Sequence, residues 1–150
     1  MTTTTAPRAN SRALALAHHA ARACLEGVLT RHGMTFHQGV TLRAVVAAGE
    51  SIGRDELVGE VTGHLKIDAS VVSGVIEELT AAKVLEAAPT DQARVRLTDT
   101  GRELYEVTSA ASAEISARLY AGIPDEDLVV AGRVLTLVTD RANAELAAGA

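Results

Sequence analysis

The sequence contains one cysteine, no tryptophan, one phenylalanine and two tyrosines among 150 residues. The lone Cys24 excludes an internal disulfide framework and fits a reducing cytoplasm. At 2% aromatic content the core must be built from Ala, Val, Leu and Ile. Such a thin core suits closely packed helices and an obligate partner. No run approaches the roughly 18 apolar residues of a membrane span, so no membrane association is expected. The opening Thr2-Thr3-Thr4-Thr5-Ala6-Pro7 lacks the charged and apolar stretches of a secretory signal. Residues 1–8 read instead as a disordered arm. Catalytic signatures are missing too: there is no nucleophile elbow, phosphate loop or paired-carboxylate motif, so no catalytic residue is assigned. His18, His19, Cys24, His32 and His37 do not have the spacing of a structural zinc site, and nothing supports a haem ligand. No metal or cofactor is expected.

Six helical segments and one hairpin are legible. From about Ala9 to Arg31, Leu14, His18, Ala21, Leu25, Val28 and His32 recur at three- and four-residue steps, the stripe of an amphipathic helix that Gly33 closes. Thr35 is placed to cap a second helix, ended by Gly49. Ser51 or Gly53 opens a third around Asp55–Leu65, and Asp68 caps a fourth reaching about Lys83. The inward stripe of the fourth is Val72, Val75, Ile76 and Leu79. Val84–Ala87 and Arg94–Leu97 read as short strands joined by the turn Pro89-Thr90-Asp91-Gln92. Thr98 caps a long helix to about Ala121, and Pro124 starts a last one ending near Ala147. Short helix, turn, short helix, hairpin and long helix is the outline of a mainly α winged helix-turn-helix with a small β-wing.

Charge is unevenly spread. Residues 1–54 carry six Arg and two acids, residues 55–97 four cations and eight acids, and residues 98–150 four cations and nine acids. The segment that would meet a duplex is therefore net −4. Affinity for DNA rests largely on neutralising phosphates with Lys and Arg. Lys66, Arg94 and Arg96 are the candidate phosphate contacts, with Ser70 and Ser73 on the fourth helix as candidate hydroxyl contacts. Arg43 and Arg54 add cations nearby. The outward face Ser70, Ser73, Gly74, Glu77, Ala81 offers no Arg, Lys, Asn or Gln for a bidentate base contact.

Three local patterns in this order carry a resemblance. Met34-Thr35-Phe36-His37-Gln38 resembles the Thr-x-x-Gln opening of the second helix in the MarR family of winged-helix regulators. Asp68-x-Ser70-x-Val72-Ser73 followed by Leu79 resembles its recognition helix, and Leu97-Thr98-Asp99-Thr100-Gly101-Arg102 resembles its Leu-Thr-x-x-Gly-Arg junction after the wing. The resemblance runs from about Arg12 to Leu146. It implies a homodimer whose platform is formed by residues 9–33 and 98–147, a winged module at 34–97, a small-molecule pocket between them, and repression of a promoter relieved by ligand. Two departures stand out. Asp91-Gln92-Ala93 replaces the family's Asp-Arg-Arg, in a wing about two residues shorter, and Gly74 stands where an Arg is common.

In the geometry the resemblance implies, His18 and Arg22 on the first helix and Phe36 and His37 at the start of the second border the cavity. Together with Arg43 they form the candidate ligand set, suited to an anionic or aromatic metabolite. Cys24 lies about thirteen residues beyond the position of the family's peroxide-sensing cysteine, near Ser11, and reads as structural. The expectation is a ligand-responsive, cytoplasmic transcription regulator that binds double-stranded DNA as a homodimer, with weak or salt-sensitive affinity. The alternative is a relative that has lost DNA binding and whose pocket binds or transforms a small molecule.

Overall fold

The structure, a computed structural model, describes residues 5–149. Of the arm expected at 1–8, residues 1–4 lie outside the described residues. The order is α1 (Ser11–Arg31), α2 (Phe36–Ala47), β1 (Ser51–Gly53), α3 (Arg54–Leu65), α4 (Ala69–Ala81), β2 (Leu85–Ala88), β3 (Asp91–Leu97), α5 (Asp99–Tyr120) and α6 (Asp125–Ala147). The chain divides after Ile115 into two compact units. The first holds α1 to α4, the sheet and most of α5. The second holds the end of α5 and all of α6.

Local chemistry explains most helix boundaries. Asn10 accepts a hydrogen bond from Ala13 N–H and starts α1. Thr35 and Gln38 form a reciprocal capping box: Gln38 N–H donates to Thr35 Oγ1 at 3.2 Å and Thr35 N–H to Gln38 Oε1 at 3.1 Å. Asp68 occupies the N-cap position of α4 as expected, but its side chain makes no capping bond. Pro124 sits at the N-cap of α6 rather than inside its first turn. Gly33 and Gly49 both take positive φ after their helices, as a C′ glycine does.

The core of the first unit is where α2, α3, α4 and the sheet meet. It is built from Leu42, Val45, Ile52, Leu57, Val61, Val72, Ile76, Leu79, Leu85, Val95 and Leu97, with Leu29 and Met34 closing it from the α1 side. The expected stripe of α4 is buried in full. Burying one such side chain stabilises by roughly 1.5–3 kcal/mol. Four of them outweigh the helix penalty of Gly74, about 1 kcal/mol.

The sheet departs from the sequence reading in two respects. It has three strands in the order β1-β3-β2, both pairings antiparallel. β1 had no readable strand signal, and Ser51, expected as a possible helix start, lies within it while Gly53 takes the N-cap of α3. The hairpin is also tighter than expected. Ala88 pairs with Asp91, so the turn is Pro89-Thr90 alone, and Asp91 and Gln92 belong to β3. A bulge after Ala87 takes up the extra residues, and the Asp91 carboxylate accepts Ala93 N–H at 3.0 Å within it.

The stripe expected on α1 is covered only at its end. Val28 and Leu29 are buried, whereas Leu14, His18 and His32 stand exposed in the single chain. α6 considered alone buries nothing, and Val129, Val130, Val134, Leu135, Leu137 and Val138 are all exposed.

Candidate functional site

The Leu97-Thr98-x-x-Gly101-Arg102 junction is structural at every position. Leu97 is in the core. Thr98 Oγ1 accepts Gly101 N–H at 3.0 Å, capping α5, and lies 2.6 Å from Lys83 O and 3.0 Å from Val84 O, to which it donates. Arg102 holds Glu50 through two bonds, Nε to Oε1 at 2.9 Å and NH2 to Oε2 at 2.7 Å, and also holds Asp99 at 2.8 Å. The bonds from Arg102 keep the Glu50 carboxyl below the usual carboxylate range, and the same bonds raise the guanidinium's already high value. Glu50 has φ of 70°, and its carbonyl accepts Leu97 N–H at 2.9 Å. The clamp thus fixes the α2–β1 turn, the root of the wing and the first turn of α5 to one another.

On β3, Val95 and Leu97 point into the core, so Arg94 and Arg96 occupy the outer face of the wing. Both are engaged within the protein. Arg96 is the cross-strand partner of Glu86 and binds it at 2.7 Å, while Arg94 Nε donates to Ser51 Oγ at 3.4 Å. Arg54, the first residue of α3, reaches Glu77 on the exposed side of α4 at 3.9 Å. Glu78 on the same helix accepts from Gln38 Nε2 at 2.8 Å. Lys66 is exposed with φ of 56° at the α3–α4 turn and makes no ion pair among the described residues. Ser70 is exposed in the first turn of α4, whereas Ser73 is half-buried. Gly74 lies on the outward side with open space where a Cβ would stand.

A second locus lies where α1 turns into α2. An open depression of about 460 Å³ is lined by Glu26, Thr30, Gly33, Met34, Thr35 and Phe36. The Arg22 guanidinium sits 4.0 Å above the centre of the Phe36 ring and is hydrogen-bonded to Glu26 at 3.1 Å. Stacking a guanidinium on an aromatic face leaves its edge free to meet a planar anion. His37 is half-buried, its ring 6.2 Å from that of Phe36. Its backbone carbonyl accepts from Thr41 Oγ1 at 2.8 Å.

The structure therefore brings Arg22, Phe36 and His37 together. His18 lies one helical turn before Arg22, and its exposed ring packs edge-on against His19. Arg43 is exposed on α2, two turns past Phe36. The sequence reading missed Glu26, although its position four residues after Arg22 is the spacing of a helical ion pair. It also missed the pairing of the wing and α4 acids with Arg96, Arg54 and Gln38, which depends on strand register and helix docking. Cys24 is exposed in the single chain. Among the described residues no helix is long and apolar enough to cross a membrane, and no three His, Cys, Asp or Glu side chains are grouped as metal ligands are.

No protein-family model matches the sequence, and no curated protein matches it. Solved structures do. BpsR of Bordetella bronchiseptica, described in a study of how 6-hydroxynicotinic acid regulates its DNA binding, superposes with a TM-score of 0.68 at 26% identity, over 85% of this chain and 96% of that one. CouR of Rhodococcus jostii RHA1, solved with p-coumaroyl-CoA, gives 0.72 at 18% identity over 84% and 88%. A MarR-family transcriptional regulator of Rhodococcus sp. RHA1 gives 0.71 at 19% over 89% and 98%. The chain has the MarR-type winged helix-turn-helix fold, mainly α with a small β-wing. The resemblance legible in its three motifs is one of fold.

Proposed function

We propose that this protein is a ligand-responsive transcription regulator of MarR type, a cytoplasmic homodimer that represses a promoter until a small anionic or aromatic metabolite binds. The observation that carries the ligand half of this reading is the Arg22–Phe36 stack beside the α1–α2 depression. It sets a cation on a ring that itself lines the depression, a pairing suited to an aromatic molecule bearing a carboxylate. That BpsR is regulated by 6-hydroxynicotinic acid supports the choice of ligand class. Candidate DNA contacts are Lys66, Ser70, Ser73, Arg94 and Arg96, with the first turn of α4 offering backbone N–H groups to a phosphate.

A second reading is favoured by the pairing of Arg96, Arg54 and Gln38 with the acids of the wing and of α4. In it the protein has lost DNA binding and the depression binds or transforms a small molecule. Fluorescence anisotropy on the DNA upstream of the gene, between about 50 and 200 mM salt, separates the two. A specific complex that persists across that range and is released by an aromatic acid supports the regulator. Absence of any complex at the lowest salt, with the dimer still binding an aromatic acid, supports the second reading.

A further inference from the structure

We infer that Glu77 and Glu86, with Glu78 beside them, are affinity-setting residues that withhold the donors of the DNA-reading face. The inference rests on the reading that this face meets DNA. A belt of internal pairs runs along it. Glu86 holds Arg96 at 2.7 Å, and the two are cross-strand partners. Arg94, two residues earlier on the same outer face, donates to Ser51 at 3.4 Å and faces Gly53 in register. Arg54 follows Gly53 directly and reaches Glu77 at 3.9 Å. Gln38 reaches Glu78, the next residue of α4, at 2.8 Å. Arg96 and Gln38 are thus hydrogen-bonded to carboxylates, and Arg54 and Arg94 each sit beside a protein oxygen.

A carboxylate and a phosphate oxygen are the same kind of acceptor for a guanidinium. For a phosphate to take the edge of Arg96 that Glu86 holds, that pair must open, and at both Arg96 and Arg54 the nearby carboxylate stands beside the duplex as a like charge. The exposed pairs themselves are weak, since solvent screens them. They restrain the face by competition and repulsion rather than by rigidity. The result is a reader with few effective cations. Neutralising the acids adds no cation to the protein; it frees cations already in place.

The test uses the full-length protein and the DNA upstream of its gene. Glu77→Gln, Glu86→Gln and the double variant are compared with wild type across 50–200 mM salt. Glu60→Gln, which removes one exposed charge of α3 that pairs with no cation among the described residues, is the net-charge control for each single variant. The double variant is expected to bind on the order of tenfold more tightly at the lowest salt. Its log–log salt slope should steepen by about 2, near 0.9 for each freed cation, while Glu60→Gln leaves the slope unchanged. Binding by the double variant where wild type shows none supports the inference equally. If wild type binds and the double variant matches it in affinity and slope, the inference is overturned while the regulator reading stands. It is also overturned if Glu60→Gln reproduces the gain, because net charge alone then explains it. If neither protein binds at the lowest salt, and thermal melts show both folded, the inference and the DNA-reading proposal fall together.

Discussion

Gly101 packs its bare α-carbon against the carbonyl oxygen of Val84, and a Cβ there would run into that oxygen and into the Leu97 side chain. The neighbour is backbone held by Thr98 N–H at 3.1 Å, so it cannot move aside cheaply. Gly101→Ala is expected to cost about 3 kcal/mol, the upper end of overpacking penalties, read as a lower midpoint in urea unfolding.

Gly74 shows the opposite sign for the same change. It is also a helical glycine, but nothing lies within 4 Å of a Cβ built there. Gly74→Ala should raise stability by roughly 0.5–1 kcal/mol through helix propensity alone, in the same urea titration. A neutral or lowered midpoint would count against helix propensity as the deciding effect at this position.

The Glu50–Arg102 clamp predicts an acid-sensitive component of stability. The Glu50 carboxyl lies below the usual carboxylate range in the folded protein because Arg102 binds its ionised form. A depressed acid contributes stability that is present above its unfolded value and lost as pH falls through its folded one. Wild type should therefore lose this contribution below the ordinary carboxylate range, and Glu50→Gln should flatten that limb. Melting temperature against pH for the two proteins is the check. Identical profiles would leave the clamp without a thermodynamic role.

The uncovered apolar residues of α6 and the N-terminal half of α1 predict self-association. Val130, Val134, Leu137 and Val138 recur at three- and four-residue steps on α6 and are all exposed. Light scattering at micromolar concentration should give twice the 15.6 kDa chain mass. Val134→Glu should shift the population toward monomer. A monodisperse wild-type monomer would remove the dimer from the proposed function.

At the α1–α2 depression, Arg22→Ala should weaken binding of an aromatic carboxylate by roughly 1.5–3 kcal/mol, the range of a charge-assisted hydrogen bond. Glu26→Gln should act in the other direction, because Glu26 holds the guanidinium at 3.1 Å and repels an incoming anion. Titration calorimetry on the two variants tests both signs. Unchanged affinity in both would place the acid elsewhere.

Helix content, caps and the inward face of α4 were legible in the chain because each is fixed over a few residues. Thr35 and Gln38 cap one another across three positions, Gly33 and Gly49 supply the backbone angles that end helices, and Val72, Val75, Ile76 and Leu79 share a face by spacing alone. The order of elements and the Leu-Thr-x-x-Gly-Arg junction then pointed to the fold. β1 was not legible: three residues ending in glycine show no alternation, and they are a strand only because Val95 of β3 lies opposite Ile52. The state of the candidate DNA contacts was equally out of reach. Arg96 is paired because the hairpin register sets it across from Glu86, and Arg54 because α3 docks beside α4; among the candidate ligand residues, Arg22 stacks on Phe36 because the turn at Gly33 folds α2 back toward α1. The sequence by itself determined which segments are helical, which face of α4 is buried and how many cations the candidate reading face owns. Only the tertiary structure decided which of those cations are already held, because a charge pair between distant residues follows from distance in space, and spacing along the chain carries no record of it.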